Sequence, residues 1–147
     1  MKPISRATSN RRLEKLAKFL ETRVPKERFN METFFHVEYD DGTEESNWGS
    51  SGPELTSVSE ALECGTSACV AGWAAVLFRR VFPEVVSSAW GTPTRDVGNR
   101  AGVVLGLTFR EQMDLFNSSA DHQTPKEAAK AIRQLIKARD GQMGWGN

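Results

Sequence analysis

The residues best able to do chemistry in this chain cluster in one stretch, Cys64-Gly65-Thr66-Ser67-Ala68-Cys69. A cysteine just before a helix, or at its first turn, has its thiolate favoured by free backbone N–H groups and by the helix dipole. A thiol nucleophile belongs at such a place, which makes Cys64 and Cys69 the candidate catalytic residues. The nucleophile also needs a base. The chain has two histidines, His36 and His122, and neither sits in a recognisable catalytic pattern. The competing reading is structural: free cysteine is among the most buried residue types, so Cys69 reads as a small core residue and Cys64 as a loop thiol under the helix. Two Cys and two His also match the ligand count of a zinc site, but Cys-x4-Cys with histidines at 36 and 122 is not a usual metal module, and no metal is expected.

The same turn offers a second chemistry. Backbone N–H groups exposed at Gly65, Thr66 and Ser67 would hold a phosphate or carboxylate, with Trp73 or Trp48 near enough to stack. The Gly-x4-Gly-Lys-Ser/Thr pattern of a P-loop is missing, and Thr66 or Ser67 can satisfy those groups as ordinary helix caps. The ligand-binding candidates are therefore Cys64, Gly65, Thr66, Ser67, Trp73 and Trp48. The acid pairs Asp40/Asp41 and Glu44/Glu45 would suit general acid–base work, although in a loop rich in Gly and Ser such carboxylates are more often solvated.

Charge supplies a third set. Residues 1–28 carry nine basic and three acidic side chains, a net +6; residues 32–63 carry nine acids and no Lys or Arg, a net −9; residues 64–147 net +3. The total is zero, so the chain as a whole does not attract a polyanion, but the segregation can steer a charged partner. Arg11, Arg12, Lys15 and Lys18, on one early segment, are the partner-binding candidates, for a protein or for phosphates. The alternative is that this basic segment lies against the acidic one and each neutralises the other. No helix-turn-helix or zinc-finger spacing supports nucleic-acid recognition.

The elements that must position these residues are mostly helices. Leu13, Leu16, Ala17, Leu20 and Val24 recur at helical spacing after a cap at Ser9 or Asn10, and Pro25 stops the run. Phe35, Val37 and Tyr39 alternate as in a strand before Asp41-Gly42, which suggests a short hairpin, and residues 40–57 read as an acidic loop. A short helix over Ser57 to Leu62 precedes a helix over Ser67 to Phe78 that is apolar on every face, and is therefore central, with Arg79 and Arg80 in its last turn. Thr94 caps a helix carrying Val97, Ala101, Val104 and Leu105, ended by Gly106. Thr108 to Glu111 is a capping box opening a helix with Met113 and Phe116. Thr124-Pro125-Lys126-Glu127 opens the last helix, with Ala128, Ala129, Ile132, Leu135 and Ile136 inward and Asp140-Gly141 as its stop. The tail from 142 is expected to be loose unless Trp145 docks.

Length and composition agree with this picture. With 147 residues, 39% of them hydrophobic and 26% charged, the chain has the size and balance of a single globular domain. The longest apolar run, Ala68 to Phe78, is 11 residues, too short to span a bilayer, and the basic N-terminal stretch lacks the apolar run of a secretory signal. Two cysteines make a poor disulfide framework, so a reducing, cytoplasmic setting is expected.

The segment Cys64-Gly65-Thr66-x-x-Cys69-x-Ala71-Gly72-Trp73-Ala74 resembles a group of small proteins of unknown function from bacteria and phages. Phe29-Asn30-Met31, Leu105-Gly106-Leu107, Leu115-Phe116 and Thr124 to Ala129 extend the likeness over about half the chain, with a longer acidic insert between Met31 and Cys64. It implies a helical fold and a bacterial or phage setting, and no reaction. Cys64 to Cys69 also resembles, distantly, the active-site helix start of papain-like enzymes.

These readings combine into a mainly α fold, a compact bundle of five or six helices around the apolar helix near 67–78, with an irregular or β-hairpin excursion near 33–58. The leading function is a non-enzymatic binding module, a phage accessory or anti-defence protein acting on a host protein or small anionic ligand. No cofactor or membrane partner is expected. A cysteine-dependent enzyme and a nucleic-acid-binding regulator are the alternatives. If the helix after Cys69 is central, Gly72→Leu overpacks it and lowers stability by roughly 1–3 kcal/mol; an unchanged melting temperature would place that helix at the surface.

Overall fold

The computed structural model describes residues 4–31, 35–38, 44–47, 66–88, 90–116 and 123–143. Trp48, Cys64, Gly65, His122, Trp145, Asp40/Asp41 and the helix expected over Ser57 to Leu62 lie outside the described residues. What is described is mainly helical: α1 (Arg6–Arg23), α2 (Val70–Leu77), α3 (Val97–Leu105), α4 (Phe109–Phe116) and α5 (Pro125–Met143). A three-stranded antiparallel sheet of order β2-β1-β3 joins β1 (Phe35–Glu38), β2 (Glu44–Asn47) and β3 (Thr66–Ser67). A second, two-stranded ladder pairs β4 (Val86–Ser87) with β5 (Pro93–Thr94).

The expected apolar face of α1 is buried throughout, and Phe19 joins it. Its cap is Ser5, not Ser9 or Asn10: the Ser5 hydroxyl accepts from the Thr8 N–H at 3.1 Å. Ser9 is unavailable for capping because it faces the interior, where its hydroxyl donates to the Leu105 carbonyl at 2.5 Å. At the other end Val24 is extended, as a residue before proline prefers, and the helix stops at Arg23.

The hairpin forms, with Phe35 opposite Asn47 and Glu38 opposite Glu44. Residues 44–47, read from sequence as part of a loop, are therefore strand. Thr66 and Ser67 are not caps either. They pair with Val37 and His36, and Ala68 exchanges backbone bonds with Arg28 and Asn30, both at 3.0 Å. Extended pairing on both sides holds the chain out of helical geometry until Cys69, which becomes the N-cap of α2 without a side-chain bond. α2 is shorter than expected, but Val70 to Val76 are all buried. Arg79 and Arg80 lie beyond its end.

Asp96, not Thr94, caps α3, its carboxylate accepting from the Asn99 N–H at 3.0 Å. Thr94 belongs to β5 and accepts from the Asp96 N–H instead. The capping box of α4 is reciprocal: the Thr108 N–H donates to Glu111 Oε1 at 2.9 Å and the Glu111 N–H to Thr108 Oγ1 at 3.1 Å. Within α4 the buried side chain is Leu115, whereas Met113 is 51% exposed. Thr124 caps α5 as expected, and Gly141 is absorbed into that helix, which runs on to Met143.

One buried charge joins four of these elements. Arg139, on α5, is 2% exposed. Its five N–H donors all find acceptors: Glu111 Oε2 at 2.9 Å and Oε1 at 2.8 Å, Ser9 Oγ at 2.8 Å, Asn10 Oδ1 at 2.8 Å and the Gly106 carbonyl at 3.2 Å. Gly106 is left-handed, with φ +68°, and a Cβ there would come within 2.9 Å of Ile4 and Ser9, so only glycine fits this corner. The Arg139 guanidinium holds the Glu111 carboxyl below its ordinary value of 4.5. A carboxylate whose folded pKa is lowered gives stability that is complete above its unfolded pKa and lost as pH falls through the folded one. The melting temperature should therefore drop on acidification below about 4.5, and Glu111→Gln should flatten that part of the curve. Arg139→Ala, which strands Glu111 in a largely buried site, should cost about 3–5 kcal/mol at neutral pH by denaturant unfolding.

Candidate functional site

The segment that sequence chemistry singled out is mostly core. Trp73 is fully buried; its indole N–H donates to the Arg28 carbonyl at 2.8 Å and its ring meets Phe19 at 5.9 Å between centroids. It cannot stack on a ligand from there. Cys69 is 2% exposed. Burial pushes its thiol up to about 11, outweighing the N–H groups of Gly72 and Ala71, which pull the other way. At neutral pH Cys69 is a protonated core thiol at the start of a sealed helix. His36 is in β1, in register with Ser67. Among the described residues no group of three or more His, Cys, Asp and Glu is arranged to hold a metal ion.

The four basic candidates of α1 are divided between two faces. Arg12 donates to the Val104 carbonyl at 2.7 Å, closing the C-terminal turn of α3, and the Lys15 ammonium lies 5.9 Å from the centre of the Phe78 ring. Both serve the fold. Arg11 and Lys18 are exposed and share helical spacing with Glu14 and Glu21, on the face of α1 that meets α5.

That meeting is the candidate site. α1 and α5 run antiparallel, since Ser9 approaches Arg139 at one end while Glu14 and Glu21 reach Arg133 further along. Arg133 forks onto Glu21 at 2.7 and 2.6 Å and reaches Glu14 Oε1 at 3.1 Å. The Arg133 hydrogen bonds lower the Glu21 carboxyl and hold the guanidinium still more firmly protonated. Lys126, Lys130, Arg133 and Lys137 line a hollow of about 280 Å³. A larger one of about 630 Å³ adjoins it, sharing Glu21 and Lys126 and adding Arg23, Val24, Lys26 and Pro125.

The electrostatic balance is uneven. Arg133 and Lys18 balance Glu14 and Glu21, while Arg23, Lys26, Lys126, Lys130 and Lys137 bring five positive charges. The groove can hold carboxylate or phosphate groups; among the described residues its lining has no thiol or histidine, and its two hydroxyls are engaged with backbone, Thr22 donating to the Lys18 carbonyl and Thr124 accepting from the Glu127 N–H. Sequence reading missed it. Its signal was present in the four-, three- and four-residue intervals of the basic residues on α5, but each such position reads as an ordinary solvated helix face until α1 is laid beside it.

No protein-family model, curated protein or solved structure matches the chain.

Apolar side chains are also exposed elsewhere. Trp90, 90% exposed, stands at the tip of the β4–β5 hairpin, where the Ser88 N–H donates to the Thr92 carbonyl at 2.8 Å and Gly91 takes φ +78°. Phe109 and Met113 are neighbours on the outer face of α4.

Cys69 should resist alkylation in the native protein and react on denaturation, read by peptide mass mapping at neutral pH. Rapid native modification at Cys69 would restore it as a nucleophile.

Proposed function

We propose that this domain is a non-enzymatic binding module whose working surface is the basic groove between α1 and α5. Its partner is an anionic group, on a host protein or a small ligand. One observation carries the reading: five basic side chains ring two adjoining hollows, while Glu14 and Glu21, the acids along the α1–α5 seam, are already held by Arg133. Those five charges have an unspent attraction for anions, strongest at low ionic strength. In this reading the five helices form one compact bundle around α2, which makes the groove a rigid platform.

The resemblance of Cys64 to Ala74 to small bacterial and phage proteins supports a bacterial cell as the setting, with a phage accessory or anti-defence role. A thiol enzyme gains nothing from Cys69, which is buried and protonated.

The triple variant Lys126→Glu, Lys130→Glu, Lys137→Glu should weaken binding of poly-L-glutamate roughly tenfold or more, given a few tenths to one kcal/mol per exposed charge pair. Titration calorimetry at low salt measures it. All three positions are exposed, so the melting temperature should hardly move. Equal binding by variant and parent would remove the groove as the site.

A further inference from the structure

The β4–β5 hairpin carries the most exposed large apolar side chain among the described residues, and its surroundings say what that side chain suits. Residues 85–94 include no charged side chain, in a chain of which 26% of residues are charged. The stretch is not core. Trp90 is 90% exposed, Val85 is 43% exposed, and Ser87, Gly91, Thr92 and Pro93 are exposed as well. Val86 is buried, so its neighbours Val85 and Ser87 lie on the other side of the chain, with Pro93 and Arg95 exposed across from them. The outward side of the hairpin is therefore uncharged from its tip down to Arg95.

The tip is also closed on itself, around Ser88. The Ser88 hydroxyl accepts from the Trp90 N–H at 3.2 Å and the Thr92 N–H at 3.3 Å. Its carbonyl accepts from the Gly91 N–H at 3.0 Å, and its own N–H donates to the Thr92 carbonyl. These four N–H groups already have partners, so the tip can leave water without stranding them. Charges stand at the foot. Arg100 ties the two flanks together there, donating to the Pro83 carbonyl at 2.7 Å and the Arg95 carbonyl at 3.3 Å. Those flanks, residues 79–84 and 95–100, carry Arg79, Arg80, Arg95 and Arg100 against Glu84 and Asp96, a net +2, and Asp96 is engaged in capping α3.

An apolar tip, an uncharged shaft and a net positive foot follow the order met on passing from the acyl chains of a bilayer to its anionic headgroups. Tryptophan settles at that boundary, its ring against apolar matter and its N–H toward ester carbonyls, and arginine pairs with phosphate. A single nucleic-acid strand asks for a basic track beside the stacking ring, and the shaft between Trp90 and Arg95 has none. We propose that the β4–β5 hairpin docks this protein on the surface of an anionic phospholipid bilayer, with Trp90 in the interfacial layer and Arg95 at the headgroups. The contact is peripheral, since no helix among the described residues is long and apolar enough to cross a membrane. It departs from the expectation of no membrane partner, which rested on the lack of a long apolar run; a hairpin tip needs none. It is also separate from the α1–α5 groove, whose lining includes no residue of the hairpin or its flanks.

The test is flotation of the full chain, near physiological ionic strength, with vesicles of phosphatidylcholine alone or mixed with phosphatidylserine. The parent should float with the mixed vesicles and more weakly with phosphatidylcholine. Trp90→Ala should lower partitioning into the mixed vesicles about tenfold or more, because most of the indole's area no longer leaves water. Its melting temperature should be unchanged, the ring being almost wholly exposed, and Trp90→Phe should fall between. Arg95→Gln should weaken binding to the mixed vesicles and leave the weaker phosphatidylcholine binding as it was. Anionic vesicles attract any basic surface, so Trp90→Ala is also compared within the groove variant Lys126→Glu, Lys130→Glu, Lys137→Glu, where the same loss is expected. Failure of the parent to bind either vesicle, or equal binding by the parent and Trp90→Ala, would overturn the proposal. Trp90-dependent binding of single-stranded DNA without vesicle binding would overturn it in favour of a base-stacking tip.

Discussion

The architecture depends most on the guanidinium of Arg139. A charge moved from water into a protein interior is costly unless every donor is satisfied, and here each of the five N–H groups has an acceptor. Those acceptors come from the first turn of α1, the left-handed end of α3 and the capping box of α4. The cluster therefore fixes relative positions rather than merely adding strength. Moving any one of the three elements leaves part of a buried charge unpaired. Glu111 has two tasks in it, since one carboxylate caps its own helix through Thr108 and neutralises Arg139.

A second arginine of α5 shows how environment changes the meaning of a residue type. Arg133 also has carboxylate partners at short distances, but its side chain is 38% exposed and Glu14 is 53% exposed. Water and salt screen that network, so its value for stability is small. What it does is tie α1 to α5 beside a lysine stripe. The buried arginine organises the fold and the exposed one organises the groove. Both depend on α1 lying antiparallel along α5, which links the positioning of the core to the layout of the site.

Local physical rules were legible in the sequence. The apolar face of α1, the all-round apolar character of the segment after Cys69, the capping box at Thr108, the cap at Thr124 and the glycine stop at Gly106 each depend on neighbours within one or two turns, and each is found in the structure. The hairpin signal at Phe35 and Val37 belongs to the same class. Helix starts were read less well. Ser9 and Thr66 are good caps by residue type, but one is drawn inward to Leu105 and the other is held in a strand by pairing with Val37. In both cases a distant backbone group outcompeted the local one.

The sequence by itself determined that this protein is mainly helical, which faces of its helices are apolar and where several of them stop, because hydrophobic periodicity and capping act over a few residues. It also carried the charge segregation, but not the use of each charge. Only the tertiary structure decided that Trp73 and Cys69 are core and not site, that Arg139 is buried, and that lysines scattered along α5 form a groove with Glu14 and Glu21. These outcomes are set by contacts between residues about a hundred positions apart, as between Ser9 and Arg139 or Glu21 and Arg133. Charge acts through space, so its meaning is fixed only once the helices that carry it are side by side.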